Sequence, residues 1–205
     1  MNKPEQITKP IAESCLRNQT PIAHALLPLL QDRQRLLEIA SGTGQHAVYL
    51  ANRLPHLIWQ CSDLPECLPG IRLWAEEAVH RNIPEPIVLD VRQTDWPASG
   101  HYDAVFTANS IHFIGLDKVV ALLSGVGNLL TKGALFCVYG PFNQHSRFTS
   151  EGNQQLDAWL KSRDAESGIK DIETVLNLCA EQSLIHQNTL SMPANNLMLV
   201  FEKND

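Results

Sequence analysis

An α/β fold, a mostly parallel sheet covered by helices on both faces, is predicted by three observations. Short apolar runs alternate with helix-length amphipathic segments from residue 35 to residue 142. The stretch "LLEIASGTGQHAVYLAN", residues 36 to 52, passes from a strand pattern through Ser-Gly-Thr-Gly into a helix pattern, the joint of a βα unit. The last two apolar runs are separated only by Pro-Ala-Asn, which reads as an antiparallel hairpin at the sheet edge. Five alternating strands and this hairpin make a sheet of seven.

The elements follow in order. Residues 1–13 read as an extended arm, and "ESCLRNQTPIAHALLPLL" as an amphipathic helix or two short ones, punctuated by Pro21 and Pro28. "RLLEIA" is a short buried strand, and "GQHAVYLANRL" a helix with Ala47, Leu50, Ala51 and Leu54 on one stripe. "LIWQCSD" and "PIVLDV" are strands ending in acids, with the helix "CLPGIRLWAEEAVHRN" between them. "YDAVFTANSIHFI" is the fourth strand, "DKVVALLSGVGNLLTKG" a helix closed by Gly133, and "ALFCVYGPF" the fifth strand. "TSEGNQQLDAWLKSRD" and "DIETVLNLCAEQSL" are helices before the hairpin strands "IHQNTLSMP" and "NNLMLVFEK". One domain is expected over 14–205, with 143–170 an insert beside the acceptor site.

Bulk composition narrows the function. Sixteen basic residues against twenty-two acidic ones give a net charge of -6, with no basic cluster, so nucleic acid is not the expected partner. The five cysteines are scattered, without a C-x-x-C. The polar start "MNKPEQITKPIAES" and the lack of a long apolar run exclude a signal peptide and a membrane span, so a cytoplasmic location is expected.

The glycine turn restricts the ligand. A phosphate-binding loop needs a lysine after its last glycine, but Gln45 and His46 follow Gly44. A dinucleotide fingerprint wants a third glycine where Ala47 stands; alanine is tolerated there, so the glycines alone leave NAD open. Glu38, ahead of the turn, would meet a pyrophosphate unfavourably and suits a cation. S-adenosylmethionine brings an ammonium and a sulfonium and no phosphate. Asp63, ending the second strand, is placed to accept ribose hydroxyls, and Asp90, ending the third, to take an adenine amino group.

At these spacings "LLEIASGTGQHAVYLA", "WQCSD", "VLDV" and "YDAVFTANSIH" resemble the successive cofactor motifs of class I S-adenosylmethionine-dependent methyltransferases. "RNQTPI", "LEIASGTGQHA", "YGPF" and "MPANN" are similar, more narrowly, to an uncharacterised methyltransferase-like family of bacteria and animals. The resemblance runs from about residue 14 to residue 202. It implies a Rossmann-like fold and a cofactor held by Glu38, Ala40, Ser41, Gly42, Thr43, Gly44, Asp63, Leu64, Asp90, Val91 and Asn109. It also implies a lid containing Arg17 and Asn18. Ala40 departs from the pattern, since it stands where the class has its first glycine.

The end of the fourth strand borders the reacting methyl group in such a fold. Asn109-Ser110-Ile111-His112 lacks the Asn-Pro-Pro-aromatic signature of enzymes that methylate macromolecular amide or base nitrogens, so a small-molecule acceptor is expected. His112 is the expected general base. Tyr139, Phe142, Arg163 and Asn195, with His112, are the expected acceptor contacts. Asp103 lies at the wrong end of its strand for a metal, and none is predicted. Two rival readings are a cofactor-binding scaffold that transfers nothing, and an NAD-dependent oxidoreductase. Glu38 and the lack of a Tyr-x-x-x-Lys pair disfavour the second.

Overall fold

Residues Arg35–Ile39 (β1) form an interior strand because their side chains alternate between two apolar layers. Leu36 joins Trp59, Cys61 and Phe106 on one face, while Leu37 and Ile39 join Val105, Phe136 and Val138 on the other. The computed structural model describes residues 8–97 and 101–205, so the first seven residues of the expected N-terminal arm lie outside it. The other strands are β2 (Ile58–Asp63), β3 (Ile87–Val88), β4 (Ala104–Ala108), β5 (Leu135–Pro141), β6 (Leu184–Met192) and β7 (Asn196–Lys203).

The strand order is β3-β2-β1-β4-β5-β7-β6. The first five strands pair in parallel, and β7 inserts antiparallel between β5 and β6. The sheet is therefore Rossmann-like, mostly parallel, with the hairpin at its edge as the sequence predicts. One bulge, between His186 and Asn188, shifts the hairpin's register.

Helices α1 (Glu13–Leu26), α2 (Gln45–Ala51) and α3 (Leu68–Ala75) cover the Trp59 face through Ile22, Leu26, Leu50 and Ile71. Helices α4 (Leu116–Leu129) and α6 (Ile172–Glu181) cover the other through Leu122, Val126, Val175 and Cys179. A further helix, α5 (Glu151–Arg163), has a polar surface, and Ser150 caps its first turn by accepting from the Asn153 N–H.

Three elements differ from expectation. α3 stops at Ala75, well before Asn82, because only Ala78 of residues 76–81 is buried and Arg81 adopts a left-handed backbone (φ 50°). β3 shrinks to two residues, since the chain turns at Asp90 with Gln93 N–H donating to Asp90 O. Gly133 does not close α4, which ends at Leu129; it supplies the positive φ of 82° in the turn into β5.

Asn82 instead serves the end of α2. Its Nδ2 stands 3.1, 3.0 and 2.8 Å from the carbonyls of Ala51, Leu54 and Leu57 and shares its two hydrogens among them, while Ala51 O and Leu54 O also accept the Leu54 and Leu57 N–H groups. Asn82→Ala is expected to lower stability by about 1–2 kcal/mol, because the amide's hydrogen bonds to this turn are lost while Ala51 O and Leu54 O keep their backbone partners. Chemical denaturation measures this; a change below about 0.5 kcal/mol would mean that water replaces the amide.

Candidate functional site

The strand order reverses between β1 and β4, and the crevice beyond their carboxyl ends is where an open α/β sheet receives a ligand. Residues 40–44 leave β1 through three left-handed conformations: Ala40 (φ 57°), Gly42 (φ 59°) and Gly44 (φ 88°). Gly42 has open space where a Cβ would stand, so only its backbone demands glycine. Gly44 has a second reason, since a Cβ there would lie 3.1 Å from the Ile71 Cα and 3.3 Å from the Trp74 Cβ. Ala40 adopts the same conformation without being glycine, at a cost of about 1–2 kcal/mol.

Side chains hold this loop in place. Asp63 accepts the Gly42 N–H on Oδ2 and the Leu64 N–H on Oδ1, both at 2.7 Å. Each oxygen keeps a lone-pair direction free. Ser62 Oγ donates to Glu38 O at 2.7 Å, and Gln45 Oε1 accepts from the Ala12 N–H at 2.6 Å and Thr43 Oγ1 at 3.0 Å. The N-terminal arm is tied down further, because Pro10 O accepts from Trp74 Nε1 at 2.7 Å and Lys9 lies over the Trp74 ring.

Between loop, arm and α3 lies a cavity of about 950 Å³. Its lining carries two carboxylates, Asp63 and Glu66, and no lysine or arginine among the described residues. His46 also faces it but is neutral, since burial lowers its pKa to about 4. Its Nε2–H donates to Asn18 Oδ1 at 2.7 Å, which leaves Nδ1 to face the Cys15 thiol at 3.8 Å. Behind the loop Glu38 is buried, accepting from Trp59 Nε1 at 3.0 Å, and burial raises its carboxyl to about 7.

A second cavity of about 550 Å³ meets the first at Ser14, Asn109 and Phe113. His112 lines it from a short 3-10 turn, Ile111–Phe113. Neither ring nitrogen has a hydrogen-bond partner among the described residues, and Nδ1 is buried. Burial first, then the nearby Lys170 charge, lowers the His112 pKa to about 4, so the ring is neutral at physiological pH. The turn is fixed from a distance: Gly168 N–H donates to His112 O at 2.9 Å and Lys170 Nζ to Ile114 O at 2.7 Å.

Of the expected cofactor residues, Ala40, Ser41, Gly42, Thr43, Asp63 and Asn109 line the first cavity. Gly44 starts α2 beside it. The remaining ones sit elsewhere. Glu38 is beneath the loop, turned to Trp59 because its side chain alternates onto that sheet face. Asp90 is turned to Arg92, whose guanidinium lowers the carboxyl to about 2, and neither it nor Val91 reaches the cavity, because β3 ends early. Leu64 gives its N–H to Asp63 and does not line the cavity. Arg17 and Asn18 line the second cavity instead of the first.

Among the expected acceptor contacts, His112 and Tyr139 line the second cavity. Phe142 is 1% exposed and belongs to the core, away from it. Arg163 stacks over Trp159 at the far end of α5. Asn195 is a turn residue (φ 55°), and its neighbours Ala194 and Asn196 reach the cavity in its place. Thr8, Pro10, Cys15 and Phe113 were not anticipated. For Pro10 the sequence signal is Gly70, inside α3, where a Cβ would meet Pro10 at 2.6 Å.

The fold is the Rossmann-like one of methyltransferases of known structure. Human N-acetylserotonin methyltransferase, solved with S-adenosylmethionine, superposes with a TM-score of 0.80 at 14% identity, over 94% of this chain and 53% of that one. Mitomycin 7-O-methyltransferase MmcR gives 0.81 at 14% identity, over 93% and 54%. An O-methyltransferase family 2 protein from Planctomyces limnophilus, in complex with apigenin, gives 0.78 at 18% identity, over 90% and 56%. The chain spans about half the length of these structures. By sequence it belongs to the family described as protein of unknown function (DUF938), whose model matches residues 9–203. Among the described residues no helix is long and apolar enough to cross a membrane.

Two predictions follow from the loop and its surroundings. Ala40→Gly is expected to leave stability unchanged or raise it by up to about 1 kcal/mol, since relieved strain outweighs the added freedom of the unfolded chain. Gly44→Ala is expected to cost more than Gly42→Ala, because a clash adds to the strain. Denaturation midpoints rank the three variants, and a destabilised Ala40→Gly would refute the strain.

The second concerns pH. Glu38 sits at about 7 against an ordinary 4.5, so its neutral form favours folding and that contribution is lost as pH rises through 7. His46 and His112 are depressed to about 4 from 6.5, so their contribution is lost as pH falls from 6.5 towards 4. Relative to wild type, Glu38→Gln should gain about 2 kcal/mol more stability at pH 8 than at pH 5. Melting measured at both pH values without added ligand tests this, and a pH-independent difference would contradict it.

Proposed function

We propose that this protein transfers a methyl group from S-adenosylmethionine to a small-molecule nucleophile. The observation that carries the reading is the charge of the first cavity: two carboxylates line it and no cationic side chain does. A phosphate would be repelled there, whereas a ligand bearing an ammonium and a sulfonium is attracted. The Asp63 oxygens, with lone pairs left after their backbone bonds, suit ribose hydroxyls. The 40–44 backbone passes close to the ligand because glycine stands at 42 and 44.

When bound, the cofactor supplies an activated methyl; the methyl carbon leaves sulfur for the acceptor atom, and sulfur keeps the bonding pair. The chain's own contribution is positioning, desolvation and proton removal. Asn109 and Phe113 stand where the cavities join, so an acceptor in the second cavity would approach the methyl group there. Such alignment is worth about 7–11 kcal/mol at most. His112, neutral and without a protein partner, can take the proton of an acceptor hydroxyl or protonated amine, worth roughly 10²–10⁴ in rate. An open second cavity also argues against a scaffold that merely holds the cofactor.

Calorimetry is expected to find S-adenosylmethionine and its demethylated product binding more tightly than NAD; equal affinities would overturn the cofactor. Asp63→Ala should weaken product binding by about 10- to 100-fold, through loss of charge-assisted hydrogen bonds. His112→Ala should lower kcat by about 10²–10⁴ while product affinity holds. The acid limb of the wild-type rate profile should lie near 4, and a limb at 6.5 would show that the ring is not desolvated during turnover.

A further inference from the structure

The charges lining the two cavities are segregated. Asp63 and Glu66 are the only charged groups of the first, and Arg17 is the only one of the second, among the described residues. Arg17 projects from the exposed side of α1 at the second cavity and makes no side-chain hydrogen bond or ion pair with a described residue. No carboxylate lines that cavity to neutralise it. Its other polar groups are hydroxyls, amides and the neutral His112 ring, none of which offsets a guanidinium.

We propose that the second cavity takes a small organic acid, with Arg17 gripping the acid's carboxylate and the nucleophilic atom directed towards Asn109 and His112. The inference rests on the reading of this cavity as the acceptor site of a methyl transfer. A guanidinium presents a planar fork of donors that matches a carboxylate with two parallel hydrogen bonds. Phe113, Tyr139, Leu156 and the rings of Pro21 and Pro193 supply apolar walls, which suit a flat, ring-sized body between the acid and the nucleophile. At about 550 Å³ the cavity has room for a body of one or two rings. Unlike Arg163, which is spent on Trp159, Arg17 has a free fork where the cavity opens.

The test uses matched pairs on the whole protein: 3- and 4-hydroxybenzoate and 4-aminobenzoate against their methyl esters. Each is titrated by calorimetry at low salt, with and without saturating demethylated cofactor. The acids are expected to bind at least tenfold more tightly than the esters, with a preference that shrinks as salt screens the pair. Arg17→Gln should erase the preference and Arg17→Lys should keep part of it, both with unchanged affinity for the demethylated cofactor. Esters binding as well as acids, no acid binding, or a preference that survives Arg17→Gln would each overturn the proposal while the cofactor titration stands. Failure of the demethylated cofactor to bind would instead remove the methyl-transfer reading, and the acid preference would then be judged from the titrations without it.

Discussion

The site depends on one backbone constraint: the chain leaves β1 and enters α2 within residues 40–44, using three left-handed residues to do so. A turn this sharp exposes N–H groups and would wander without partners. Asp63 supplies the main one, because a single carboxylate accepts the loop's Gly42 N–H and its own neighbour's N–H at once. Gln45 adds the second by joining Thr43 to the arm at Ala12. The loop therefore fixes the tip of β2, the start of α2 and the entry of α1. Loosening it would open the first cavity from three sides.

Electrostatics follow from the same geometry. Glu38 stays buried beneath the loop because Trp59 Nε1 and the packing of that sheet face hold it there, and the absence of water raises its pKa. It adds to Asp63 and Glu66 a latent negative charge that an incoming cation would favour. The two histidines do the opposite job. Burial keeps His46 and His112 uncharged, so neither adds a positive charge where a sulfonium is expected. His46 also has a mechanical role, since its two ring nitrogens link α2 to Asn18 and Cys15 of α1.

Much of this was legible in the sequence, and the limits have physical causes. The sheet and its hairpin follow from apolar periodicity, which is a local signal. The loop and Asp63 follow from glycine and acid spacing along consecutive βα units, also local. The strand position of Glu38 points to the cavity end, whereas side-chain alternation turns it under the loop. Asp90 lies just past the two-residue β3, where its carboxylate pairs with Arg92 and does not line the cavity. Arg17, expected at a lid over the cofactor, lines the second cavity, and Phe113 and the arm residues carry no local signal, because their place depends on how α1, α5 and the arm pack. That contact is set by pairs far apart in sequence, such as Pro10 with Gly70.

The two cavities share α1 and the 109–113 segment but differ in the rest of their walls. The first adds the loops after β1 and β2, the arm and the start of α3. The second takes its walls from the 3-10 turn after β4, from Asn153 and Leu156 of α5, and from the hairpin tip at 193–196. The His112 turn is held by residues 168–170, which Asp157 anchors in turn by accepting the Ile169 N–H at 2.8 Å. Gly168 is required there, because a Cβ would stand 2.8 Å from Asp157 Oδ1. Distant sites with no shared partners contribute almost independently to stability. Changes between residues 143 and 196 can thus reshape the second cavity while the 40–44 loop and Asp63 keep their geometry. Only Ser14, Asn109 and Phe113 serve both cavities, so the constraint on what can react with what falls on those residues.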